Sequence, residues 1–146
     1  MPYYLHEACQ NGQRDKVKQL IRKKWDVNEF DDKHWTPLHC AANSRQLDIC
    51  KYLLSKSANP SLTTSNNATA LHYLARIKDH AMLASLLKTM IDKGSDVNHP
   101  NTHGNTPLHE ACVRGSASCA MFLLNNGAKI DCQNSYGETP LHQAIR

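Results

Sequence analysis

The string Thr-Pro-Leu-His stands at residues 36–39, 106–109 and 139–142 of this 146-residue chain, with TALH at 69–72 and a weaker copy, YYLH, at 3–6. The leucines of these copies, Leu5, Leu38, Leu71, Leu108 and Leu141, are 33, 33, 37 and 33 residues apart. Such a period constrains the fold more than any local signal, because every copy must build much the same unit. Two further motifs keep the register. DVN at 26–28, SANP at 57–60, GSDVN at 94–98 and GAKID at 127–131 follow the copies, while HGN at 103–105 and YGE at 136–138 precede two of them. One recurring tetrapeptide could be chance; three coupled motifs on one period could not.

Each position in the motif has a physical reading. Thr36, Thr106 and Thr139 suit helix N-caps, where a hydroxyl accepts from the first free backbone N–H groups. Pro37, Pro107 and Pro140 then fall at the first helical position, where the missing N–H costs nothing. Ala41, Ala42 and Ala111 are small enough for two helices to approach closely. A second helix follows in each unit with an apolar stripe: Val17, Leu20 and Ile21; Leu47, Ile49, Tyr52, Leu53 and Leu54; Met121, Phe122, Leu123 and Leu124. Spacings of three and four put such residues on one buried face. Gly94 and Gly127 fit the left-handed position that ends a helix. Lys24 and Ser57 stand there in the first two units, so those helix ends are expected to be less well made. His34 and Asn67 replace Gly104 and Gly137 near the finger tips, and both tolerate positive φ better than most residues.

The chain resembles the ankyrin repeat family over its whole length, since T-P-L-H-x-A on a 33-residue period is that family's signature. The resemblance implies an all-α repeat solenoid of helix-turn-helix units with β-turn fingers. It implies one domain over residues 1–146, with units 3–35, 36–68, 69–105, 106–138 and a partial unit 139–146. One unit cannot bury its apolar face alone, so stacking makes the core. In the family, the motif histidine makes hydrogen bonds that tie the turns of neighbouring repeats together, usually with the Thr of its own motif. His6, His39, His72, His109 and His142 are expected to do so here, spread along the stack and not converging on a metal.

The third unit carries a four-residue insertion, placed between about Ile77 and Met82. With Asp79 as N-cap and Met82, Leu83, Leu86, Leu87, Met90 and Ile91 apolar, the second helix is expected to gain one N-terminal turn, about 6 Å. The alternative is a longer inter-helix loop. Tyr3 stands where a capping Thr would be. The last residues, LHQAIR, read as the start of another first helix, so a longer polypeptide is expected.

Composition narrows the chemistry. A net charge of +4 allows an acidic partner without demanding nucleic acid. No apolar run is long enough to cross a bilayer. The six cysteines, Cys9, Cys40, Cys50, Cys112, Cys119 and Cys132, form no CxxC pair. They are expected as reduced thiols in the cytoplasm or nucleus. Cys9 and Cys112 take a small-residue helix position; Cys50 and Cys119 read as core; Cys40 is expected to be partly exposed. His39 beside Cys40 makes a poor dyad, because helix neighbours point about 100° apart. No phosphate loop, HExxH or GxSxG occurs, so no catalytic, cofactor-binding or metal residue is assigned. The basic run RDKVKQLIRKK, 14–24, reads as a solvated helix face. It has no interleaved aromatics, which argues against nucleic acid.

By resemblance, partners bind a concave face built from finger tips and the exposed side of the first helices. The residues assigned to it are Asp32, Lys33, Trp35, Asn66, Tyr73, Arg76, His103, Asn105, Glu110, Arg114 and Tyr136. Trp35 lacks a repeat-wide role; Ala68, Asn105 and Glu138 occupy its position elsewhere. Aromatics and arginines often anchor interfaces, each by about 2 kcal/mol or more. The expected function is a non-catalytic protein–protein interaction module, monomeric in isolation, that binds a peptide, loop or domain. Two alternatives stay open: a small anionic ligand or nucleic acid held by Lys33, Arg76 and Arg114, and a redox or zinc role for the cysteines.

Overall fold

The computed structural model describes residues 2–78 and 81–145. Among them run α1 (Tyr4–Gln10), α2 (Arg14–Arg22), α3 (Pro37–Asn43), α4 (Leu47–Ser55), α5 (Ala70–Leu74), α6 (Leu83–Asp92), α7 (Pro107–Arg114), α8 (Ala117–Asn125) and α9 (Pro140–Ala144). No strand occurs among the described residues. The odd-numbered helices pack side by side in chain order, α1 on α3, α3 on α5, α5 on α7 and α7 on α9. Each even-numbered helix packs behind its own first helix, with α4 on α6 and α6 on α8 forming a second row. The product is an all-α repeat solenoid.

Its core is the motif repeated. Leu5, Leu38, Leu71 and Leu108 are 1%, 2%, 0% and 2% exposed, and Ala41, Ala42 and Ala111 sit at the close helix contacts. Leu53, Leu54, Leu86, Leu87, Met90 and Leu123 fill the space between the rows. Met121 departs from the expected stripe. It is 59% exposed, because α8 has three apolar neighbours in a row after it and only one side of the helix faces the core.

Caps follow the expected chemistry. The Thr36, Thr106 and Thr139 side chains each accept from the backbone N–H three residues on, with Pro next in sequence. Tyr3 supplies no side-chain cap to α1. Lys24 (φ 69°) and Ser57 (φ 73°) are held in the left-handed region where Gly94 and Gly127 stand in the later pairs. His34 (φ 62°) and Asn67 (φ 58°) do the same at the finger tips. Gly104 has a second reason to lack a side chain: a Cβ there would lie 2.9 Å from the Asn134 Cα of the next finger.

The four-residue surplus goes elsewhere than expected. The extra turn on α6 does not form: that helix begins at Leu83, with Met82 at its N-cap and no side-chain cap bond. Asp79, the expected cap, lies outside the described residues. In the described part of the connection, Ala75–Lys78 and Ala81–Met82 are non-helical. A second helix one turn longer would extend past the neighbouring α4 and α8, each of 9 residues, and leave that turn without a packing surface.

Candidate partner-binding face

The fingers form through one residue each. The backbone N–H of Asp31, Thr64, Asn101 and Asn134 donates to the carbonyl four residues on, at 2.8 or 2.9 Å. Asp31 Oδ1 accepts the backbone N–H groups of Lys33 and Trp35, both at 2.9 Å. Asn101 and Asn134 repeat that pattern on His103 and Asn105, and on Tyr136 and Glu138. A side-chain oxygen satisfying two turn donors is what Asx turns exploit. Adjacent fingers are then joined: Thr102 N–H donates to the Asn66 carbonyl (2.9 Å) and Ser135 N–H to the His103 carbonyl (2.8 Å).

The motif histidines carry the fingers. His39 Nδ1 accepts the backbone N–H of Thr36 (3.0 Å) and its hydroxyl (2.7 Å). A nitrogen accepting an N–H carries no proton, so Nε2 is the donor, and it reaches the Leu62 carbonyl at 3.0 Å. His72 repeats this with Thr69 and the Asn105 carbonyl, and His109 with Thr106 and the Glu138 carbonyl. His6, without a Thr, donates to the carbonyls of Glu29 and Trp35. Burial pushes His39 and His72 down to about 4, against the opposing pull of their carbonyl partners.

This settles the environment of the His39–Cys40 pair. Both ring nitrogens of His39 are engaged, so neither is free to take a proton from Cys40. Cys40 is 8% exposed, where partial exposure was expected, because the finger from Asp31 to Trp35 folds over that side of α3. Burial pushes its thiol up to about 12, with Asp31 adding to the effect. Cys119 is pushed to about 12 and Cys9 and Cys50 higher still, all chiefly by burial. Among the described residues, no group of three His, Cys, Asp or Glu is placed to hold a metal.

Three depressions lie along the face of finger tips and first helices. A cleft of about 540 Å³ is bordered by Asp32, Lys33 and Trp35, with His6 and Glu7 across from them. A pocket of about 150 Å³ is bordered by Tyr73, Arg76 and Arg114, together with Arg45. A third, of about 370 Å³, collects Asn105, Tyr136 and Glu138. Asn66 and His103 are exposed at tips, with their carbonyls used between fingers. Glu110 reaches the middle pocket through Arg76, whose Nε donates to Glu110 Oε2 at 2.6 Å.

Trp35 and Tyr73 sit differently. Trp35 is half-buried, its ring 4.9 Å from that of Tyr73, and both rings approach His39 edge-on. Tyr73 is only 7% exposed, and burial raises its hydroxyl above the usual phenol range despite the Thr64 hydrogen bond. Tyr73 therefore supports the surface from beneath: Trp35 lies on it, and the Arg76 guanidinium sits 5.1 Å from its ring centre. Tyr136, in contrast, is 77% exposed.

Arg45 escaped the reading of the sequence, and only its departure from the repeat signals it. Glycines, Gly12 and Gly115, hold its register position in two other pairs, and Arg45 keeps their left-handed backbone with φ 61°. Asp31, Asn101 and Asn134 were also passed over, although they recur on the period. Away from this face, the 14–24 run lies on α2 with Val17 and Leu20 buried and most of its charges exposed. Arg14 pairs with Asp48 at 3.0 Å, and Lys18 and Lys56 flank the Tyr52 ring.

A family model described as ankyrin repeats (three copies) matches residues 5–93 and 71–146. The chain is 33% identical over 124 residues to the transient receptor potential cation channel subfamily A member 1 of Homo sapiens, covering 84% of this chain and 11% of that protein. It is 33% identical over 120 residues to the phosphocholine transferase AnkX of Legionella pneumophila, covering 80% of this chain and 12% of the relative. With the transient receptor potential channel pyrexia of Drosophila melanogaster it shares 34% identity over 114 residues, covering 77% and 11%. The chain thus spans about a tenth of the length of these relatives.

Proposed function

Because the chain belongs to the ankyrin repeat family, whose domains are in general non-catalytic protein-interaction modules, we propose that it binds a partner protein on the face of finger tips and first helices. One observation carries the reading. Eight of the residues assigned to that face (Asp32, Lys33, Trp35, Tyr73, Arg76, Asn105, Arg114 and Tyr136) border three depressions that follow one another along it. A row of depressions on a rigid support suits an extended peptide or loop. The support is pre-organised, since finger carbonyls are tied to buried histidines, so little ordering accompanies binding. The bound segment belongs to another protein, and the module serves as part of a longer polypeptide, as in the relatives. No helix among the described residues is long and apolar enough to cross a membrane. The buried thiols support placement in the cytoplasm or nucleus, where thiols stay reduced.

The test compares proteins captured from a lysate by the wild type, by Lys33→Glu with Tyr136→Ala, and by the outer-face variant Lys18→Glu with Lys56→Glu. All four positions avoid the buried core. Loss of captured proteins with the first pair and retention with the second supports the reading. Loss only with the second pair would move the interface to the outer helices and sink it.

A further inference from the structure

The middle pocket gathers Arg45, Arg76 and Arg114 from three successive helix pairs. Arg76 is fixed in place: its guanidinium rests by the Tyr73 ring and its Nε is taken by Glu110, which leaves the terminal Nη nitrogens for the pocket. Arg45 and Arg114 are exposed and enter no ion pair among the described residues. All three lie at or just past the C-terminal ends of α3, α5 and α7, where helix dipoles favour positive charge and offset the repulsion among the arginines. Arg45 also holds a left-handed backbone at a position where two other pairs carry glycine, a conformation that disfavours any side chain.

Charge decides what this pocket suits. Three guanidinium groups less the Glu110 carboxylate leave two formal positive charges in excess, set against the partial negative charge of the helix C-termini beside them. A partner's carboxylate would offset one of them. A phosphate monoester carries about −1.5 to −2 at pH 7 and offers three acceptor oxygens, so it answers both the charge and the several guanidinium forks. Asn43 borders this pocket and also the larger cleft beside Trp35, so the two adjoin and one peptide can lie across both. Resting on the interaction face proposed above, we propose that the partner segment bears a phosphorylated serine or threonine, whose phosphate is held by Arg45, Arg76 and Arg114. The rest of the segment lies toward Trp35. Partner phosphorylation then switches binding on.

The experiment measures the full chain against peptide libraries with randomised flanks and a fixed central phosphoserine, serine or glutamate. Variants are Arg45→Gln with Arg114→Gln, Arg45→Gly with Arg114→Gln, and Lys33→Glu in the cleft. Arg45→Gly removes the charge while relieving the backbone, so loss of folding cannot imitate loss of recognition. The expected result is binding about tenfold tighter for phosphoserine than for serine or glutamate, with the preference lost in both arginine variants. Equal binding of phosphoserine and serine, a preference that survives both variants, or an absence of binding by all libraries overturns the proposal. Glutamate matching phosphoserine overturns it in favour of a carboxylate pocket. Serine peptides that bind, need Lys33 and ignore both arginines would leave the interaction face standing while removing the phosphate site. Insensitivity to Lys33 and the arginines alike would remove both.

Discussion

The second and third helix pairs are built from nearly the same motif and differ at their connections. Between α3 and α4 the chain needs only Ser44, Arg45 and Gln46; between α5 and α6 it runs from Ala75 to Met82. The core does not register the difference. Leu38 and Leu71 are equally buried, and His39 and His72 hold the Thr of their own motif alike, while Nε2 reaches the Leu62 carbonyl in one and the Asn105 carbonyl, next to Thr106, in the other. The surplus is instead docked on the following pair. Ser116 Oγ donates to the Ile77 carbonyl at 2.7 Å and Ser118 Oγ to the Lys78 carbonyl at 3.2 Å, while Ile77 is buried. A repeat fold absorbs extra residues where they leave stacking intact and where the next unit can satisfy the exposed backbone.

That equivalence can be broken at its centre. Leu38→Ala and Leu71→Ala should each cost about 3–5 kcal/mol in chemical denaturation, since both leave a cavity in a close-packed core. A loss at Leu71 well below that at Leu38 would show that the long connection loosens the third pair. The histidines come next. Their folded values of about 4 lie below the ordinary 6.5, so the unfolded chain takes up protons first as pH falls. Stability is full above pH 6.5 and declines towards pH 4, by on the order of 3 kcal/mol per site. His39→Gln and His72→Gln should each flatten that profile to the same degree, and unequal flattening would separate the two pairs.

Smaller effects probe the connections themselves. Ser116→Ala strands a buried carbonyl and should cost about 1–2 kcal/mol, which a thermal melt would register. A neutral result would mean that the long connection is not held by its neighbour. Arg45→Gly should stabilise by about 1 kcal/mol, since a residue with a Cβ is relieved of positive φ. Ser57→Gly, at the end of α4, should gain a similar amount. If Arg45→Gly gains nothing while Ser57→Gly does, Arg45 makes a compensating contact that its exposure conceals.

Much of the scaffold was legible in the residues. Capping by Thr36, entry by Pro37, burial of Leu38 and the left-handed backbone of Lys24, His34, Ser57 and Asn67 all follow from local rules acting within about one turn, and the period then copies them along the chain. The insertion was visible as a count, but its conformation was not. Asp79 and the apolar positions from Met82 onward satisfied the local rules for a helix, and the absence of anything for an extra turn to pack against lies in other units.

The same division holds for the proposed interaction face. Trp35 could be picked out as a departure from the repeat, because a residue with no periodic role is free for another, while Arg76 and Tyr136 followed from their positions in the repeat and their residue types. Whether Tyr73 is a contact or a support and which arginines share a pocket depend on residues 31 to 38 positions apart being stacked side by side, and whether Cys40 meets solvent depends on how its finger folds back over α3. Periodicity determines each unit and its register. Burial, ring contacts and the summed charge of a pocket belong to pairs of units, and only the tertiary structure brings those pairs together.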